Sequence, residues 1–289
     1  MWIVPVLAVA LVRAAAREDD PLRQAANYYD AREYRRVLDT LRPVLEKNPD
    51  DVQGIQLAGL AHYFLGDLSS AIPYLERSLE RFRDNVNYQN VLGLCYLQTS
   101  AVEKARRLFS RIFGLDPGSA RAFLINGQMF LRQGIWNRAQ EEARRALEIE
   151  PRIPQAHLVL AEAAMGRSEP EQAVREFREE IELNPALWLA HYRLGEALDL
   201  LHEPDQAIAP LQKAVWLNPS ASGPYMLLGK IYKSKGAHPQ AAQMLETAAK
   251  LDPRSSQIHY LLGQTYQALG RASDAEREFK RAQELLAPK

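Results

Sequence analysis

Alanine recurs every 34 residues along this chain, at Ala71, Ala105, Ala139, Ala173, Ala207, Ala241 and Ala275, with no insertion or deletion between them. Proline keeps the same period at Pro49, Pro117, Pro151, Pro185, Pro219 and Pro253, with Arg83 in the one slot between them that breaks the row. A third row runs through Gly59, Gly93, Gly127, Gly195, Gly229 and Gly263, and Ala161 fills its gap. A fixed period of this length points to a stack of short units, each burying its apolar face against its neighbours. Counted from Glu18, the units span 18–51, 52–85, 86–119, 120–153, 154–187, 188–221, 222–255 and 256–289.

Within a unit the punctuation is that of two helices and a turn. Gly66, Gly134, Gly236 and Gly270 stand where a first helix would stop. Pro170 and Pro204 follow where proline suits the opening turn of a helix, its missing N–H being unpaired there in any case. Asn184-Pro185 and Asp252-Pro253 end the second helix, because proline disfavours helical geometry in the residue before it. The small residues at position 8 of each unit and the alanines at position 20 are expected to face each other where the two helices cross. Leu75, Phe109, Phe177, Leu211, Leu245 and Phe279 at position 24 would fill the flanks. The fold class is all-α, with sixteen helices and no strand.

The unit Tyr225, Leu228-Gly229, Tyr232, Ala241, Leu245, Ala248 and Pro253 resembles the tetratricopeptide repeat (TPR) family pattern, and the likeness extends in register over 18–289. The first unit departs from it (Pro21, Val37), as does the second (Ile55, Arg83). The resemblance implies a right-handed α-solenoid superhelix of helix-turn-helix units, and a non-catalytic scaffold whose first helices line a concave groove through positions 2, 5, 9 and 12. Carried onto this chain, those rows give an apolar stripe at Leu124, Leu158, Tyr192, Met226 and Tyr260, with Leu189 beside it. They also give an acidic step at Glu162, Glu196 and Asp199, flanked by Arg121 and Arg132 on one side and Lys230 and Lys233 on the other. Such a stripe suits a peptide or protein segment. Two alternatives stand beside this reading: curvature buries part of the stripe, and the acids pair with neighbours, as Glu196 with Lys230. Position 5 is never Lys and position 9 never Asn, so the family's clamp for chaperone tails is not expected.

Lys and Arg together number 36, as do Asp and Glu, so the formal charge is zero and nucleic acid is not an expected partner. No catalytic constellation stands out, and the protein is expected to be neither an enzyme nor a cofactor or metal carrier. Gly223 to Lys230 imitates a phosphate loop, but its glycines are wrongly spaced and Ile231 replaces Ser/Thr. His157, His191 and His259 share position 4 a full unit apart, too far to share an ion, and read as packing residues. Cys95 reads as a small buried apolar residue.

The first residues differ from the rest. Trp2 to Val12 form an apolar run too short to span a bilayer comfortably, and Ala14-Ala15-Ala16 supplies a small-residue cleavage pattern before Arg17. A cleaved export signal over 1–16 is the leading reading; an uncleaved anchor and a helix packed on the first unit are the others. The expected protein is a monomeric, periplasmic or secreted scaffold, without a membrane span once processed, in envelope assembly or secretion. Its alternative is a cytoplasmic adaptor that keeps the segment.

Overall fold

A computed structural model of the chain describes residues 20–286, so the proposed export segment lies outside the described residues. The described chain forms two compact bodies, one ending at Ile135 and one beginning at Trp136. The first holds α1 (Pro21–Asp30), α2 (Tyr34–Lys47), α3 (Val52–Phe64), α4 (Leu68–Arg81), α5 (Val86–Gln98), α6 (Val102–Phe113) and α7 (Ala120–Arg132). The second holds α8 (Trp136–Ile149), α9 (Ala156–Gly166), α10 (Pro170–Leu183), α11 (Trp188–Leu200), α12 (Pro204–Leu217), α13 (Ser222–Ser234), α14 (His238–Leu251), α15 (Ser256–Ala268) and α16 (Ala272–Leu286). The first body stacks three antiparallel helix pairs followed by α7, the second stacks four pairs after α8, and the described residues contain sixteen helices and no strand. None of these helices is long and apolar enough to cross a membrane.

Most first helices begin where a polar side chain takes up a free backbone N–H, as Asp20 does at α1. Asp51, Asn85, Ser119 and Ser255, all at position 34 of the preceding unit, cap α3, α5, α7 and α15 in this way. Helices α11 and α13 start after Leu187 and Ala221 without such a cap, and the fifth unit departs further. Ile153 occupies the capping position and is buried, Pro154 follows, Gln155 is left-handed at φ 71°, and α9 starts two residues late. Glu180 of α10 compensates from a slot where the repeat elsewhere prefers alanine. Its buried carboxylate accepts from the backbone N–H of Gln155 at 3.0 Å and of Leu158 at 3.3 Å.

The two helices of a unit approach through the glycine row. A Cβ on Gly195 would lie 2.5 Å from Leu211, and one on Gly229 2.5 Å from Leu245, so neither glycine leaves room for a larger residue. The expectation that position 8 faces position 20 is therefore corrected: its nearest neighbour is the large residue at position 24. Position 20 comes next, with the Ala241 carbonyl 3.3 Å from the same point on Gly229. Units are then tied to each other by a tyrosine at position 11 and a polar residue at position 25 of the unit before. Tyr266 donates to Glu246 at 2.8 Å, Tyr96 donates to Glu76, and Gln212 donates to Tyr232 at 3.2 Å.

The turn inside every unit is left-handed at position 15. Four units use the glycines read from the sequence, at φ between 70° and 78°; the other four force Arg32, Ser100, Ser168 and His202 to φ between 59° and 62°. A side chain there is strained by contact between its Cβ and the backbone. His202 is exposed, and its side chain makes no hydrogen bond among the described residues. His202→Gly is accordingly expected to raise stability by about 1 kcal/mol. Equal or lower stability in a denaturant titration would remove the strain argument.

Candidate functional site

The residues singled out for binding do not sit in one body. Leu124 lies on α7 of the first body and is only 8% exposed, so it offers little surface to a ligand. The remaining ten are spread over α9, α11, α13 and α15, the first helices of successive units in the second body. Helices α11 and α13 touch, as do α13 and α15, which places their position 5 and position 9 residues on one continuous face.

Leu158, Tyr192 and Met226 are half-buried and pack against the core beneath them, and Leu189 is also half-buried. Tyr260 is 53% exposed, with its ring 5.7 Å from that of Phe279. The stripe is thus a shallow apolar floor that ends in a projecting tyrosine. Tyr192 is its best-fixed member. It stacks on Trp188 at 6.3 Å and lies across Gly223, where an added Cβ would meet the phenol at 2.9 Å. Burial, and then the neighbouring Glu196, hold its hydroxyl well above the usual tyrosine range, so it stays a neutral phenol. Gly223 therefore serves the seat of this ring, and the glycines of the loop-like stretch belong to helix packing.

The acids of the step are all paired within the protein. Arg193 binds Glu162 at 3.0 Å across α9 and α11, and Glu196 at 2.7 Å along α11. Lys230 binds Asp199 at 2.7 Å between α11 and α13, and Lys233 donates to Gln264 at 2.5 Å between α13 and α15. Each neighbouring pair of first helices is stitched once, and Glu196 takes Arg193 as its partner, not Lys230. Arg193 was passed over because position 6 lies outside the groove rows. The sequence carries a signal for it, since after the first unit position 6 is Leu, Val or Ile in every unit but the sixth, where it is Arg193.

The position 4 histidines are latches. His157 Nδ1 meets Glu176 at 2.8 Å and His259 Nδ1 meets Glu278 at 2.6 Å. On the other side of the ring, His259 Nε2 lies 3.2 Å from the Pro253 carbonyl, and His191 Nε2 lies 3.0 Å from that of Pro185. Cys95 is fully buried, and burial pushes its thiol up to about 12, which keeps it protonated and unreactive.

Tetratricopeptide repeat family patterns match residues 57–120, 126–186 and 158–225, with further TPR matches at 229–270 and 256–285. Among solved structures, MamA is similar at 26% identity and a TM-score of 0.52, over 55% of this chain and 93% of that one. YrrB, described as a TPR protein with an unusual peptide-binding site, shares the fold at 19% identity and a TM-score of 0.53, over 62% of this chain and 92% of that one. BBSome complex member BBS4 of Bos taurus is 29% identical over 107 residues, which span 37% of this chain and 20% of that protein.

The histidine latch makes stability depend on pH. The Glu176 hydrogen bond, opposed by burial and helped by the charges of Glu176, Glu179 and Glu180, raises the His157 pKa above its usual value. Folding thus favours the imidazolium: the contribution is complete below the unfolded value of about 6.5 and is lost as pH rises through the folded one. Glu180, raised chiefly by burial, shifts in the same sense at lower pH. His157→Gln is expected to lose more stability, relative to the parent, at about pH 5.5 than at about pH 8.5. Equal losses in denaturant titrations at the two pH values would show that no such latch operates.

Proposed function

Because the chain belongs to the tetratricopeptide repeat family, whose stacked helix pairs form protein-interaction scaffolds, we propose that the face of α9, α11, α13 and α15 holds an extended apolar segment of a partner protein. The observation that carries this reading is the internal pairing of the polar residues. With Glu162 and Glu196 both on Arg193 and Asp199 on Lys230, each of these acids already has a basic partner. Leu158, Leu189, Tyr192, Met226 and Tyr260 are what the face has left to offer. An apolar or neutral segment gains from burying that floor without breaking the stitches, whereas a charged ligand must compete with them. The peptide-binding site named for YrrB is consistent with this use of the fold. On this reading the protein is a monomeric scaffold without chemistry of its own and without affinity for nucleic acid.

A photo-crosslinking side chain placed at Tyr192 in cells tests the face directly. Adducts are expected at Tyr192 and not at Arg178, an exposed residue of the second helix α10. Adducts from Arg178 alone, or from neither position, would remove the proposal.

The apolar run from Trp2 to Val12, followed by Ala14-Ala15-Ala16, supports placing this scaffold outside the cytoplasm, in envelope assembly or secretion. The mature N-terminus is then expected at Arg17. Recovery of protein beginning at Met1 would favour a cytoplasmic adaptor.

A further inference from the structure

We propose a second interaction surface in the first body: a basic cleft between α4 and α6 that takes an acidic peptide segment carrying an apolar side chain. The cleft has a volume of about 590 Å³. Leu79 is the partly exposed apolar residue of its floor, with Leu92 and Leu108 largely buried beneath, and Arg83, Arg107 and Arg111 stand around it. All three arginines are exposed, and none has a side-chain hydrogen bond or ion pair among the described residues. The other charges at the cleft are largely committed. Glu76 accepts from Tyr96 and binds Lys104 at 3.2 Å, which leaves Glu80 as the one acid facing three free guanidinium groups. This excess of positive charge is local, since the whole chain is formally neutral.

The repeat itself marks the place. Arg83 occupies the slot that holds proline in the first and third to seventh units, and Gln89 occupies the aromatic slot that follows. The two departures are coupled, because the Gln89 side-chain amide donates to the Arg83 carbonyl and so fixes the segment that presents the guanidinium. Leu92 and Tyr96 reach the cleft from positions 7 and 11 of α5. The groove rows at positions 2, 5, 9 and 12 project from the opposite side of the same helix, since each residue advances about 100°. This surface therefore avoids the groove rows of its own body, and it shares no residue with the face proposed above.

Arginine around a concave apolar floor suits carboxylates better than a nucleic acid or a lipid surface. Planar guanidinium groups pair with carboxylates in bidentate geometry, and the floor rewards an apolar side chain between them. A phosphate backbone would need a basic track extending beyond the cleft.

The test is fluorescence anisotropy with the full chain and a labelled synthetic peptide of alternating Asp, Glu and Leu. Comparison probes are a Lys/Leu peptide of equal length, single-stranded DNA and phosphatidylserine vesicles. The expected result is binding of the acidic peptide that weakens as salt is raised and falls about tenfold in the triple variant Arg83→Ala/Arg107→Ala/Arg111→Ala. Circular dichroism is expected to show that variant folded, because the substituted groups are exposed, and Arg178→Ala is expected to leave binding unchanged. If the triple variant does not fold, the charge reversal Arg107→Glu alone, with the same readout, takes its place. No binding, equal binding by the variant, or tighter binding of the DNA or vesicles would overturn the proposal.

Discussion

Everything in this protein depends on how closely two helices of one unit approach each other. Glycine at position 8 lets the large side chain at position 24 rest on bare backbone, and the cost of glycine inside a helix, about 1 kcal/mol relative to alanine, is met by that contact. Leu211, Leu245, Phe109 and Leu75 are each almost wholly buried as a result. Once the pair is closed, its outer edges are fixed as well. Tyr96 and Tyr266 then reach the preceding unit's Glu76 and Glu246, so local packing sets the spacing at which units join.

The same geometry decides what the first helices show to solvent. Residues on neighbouring first helices come within reach of each other, and long charged side chains in such positions find partners there. Arg193 and Lys230 do so with Glu162 and Asp199. A face can therefore be rich in charge by sequence and electrostatically quiet in the folded chain. Its selectivity then rests on the shape of the apolar floor, and above all on Tyr192, whose ring is fixed by Trp188 on one side and Gly223 beneath.

The helices and their register were legible in the sequence because both are local properties, repeated often enough for exceptions to stand out. The left-handed turns at Arg32, Ser100, Ser168 and His202 were not, since nothing in those residue types demands a positive φ; the period, applied to position 15, would have found them. The late start of α9 needed two facts at once, Pro154 at the helix start and Glu180 twenty-five residues later on α10. The candidate site was legible as rows and not as pairs. Glu196 and Lys230 share one position in neighbouring units, which suggests that they pair, yet Glu196 takes Arg193 on its own helix, and Lys230 takes Asp199.

Where the repeat is obeyed it explains shape, so function is better sought where it is broken. The breaks differ in kind. Glu180 in an alanine slot repairs a helix start that Pro154 spoiled, and both its acceptor bonds are spent on that repair. Tyr192 over Gly223 exchanges a side chain at one groove position for a fixed aromatic ring at another. Arg83 in a proline slot is held by Gln89 through its carbonyl, but its guanidinium pairs with nothing among the described residues. A charged group without a partner in its own fold, beside two other unpaired arginines and an apolar floor, has its physical account in a partner outside the chain.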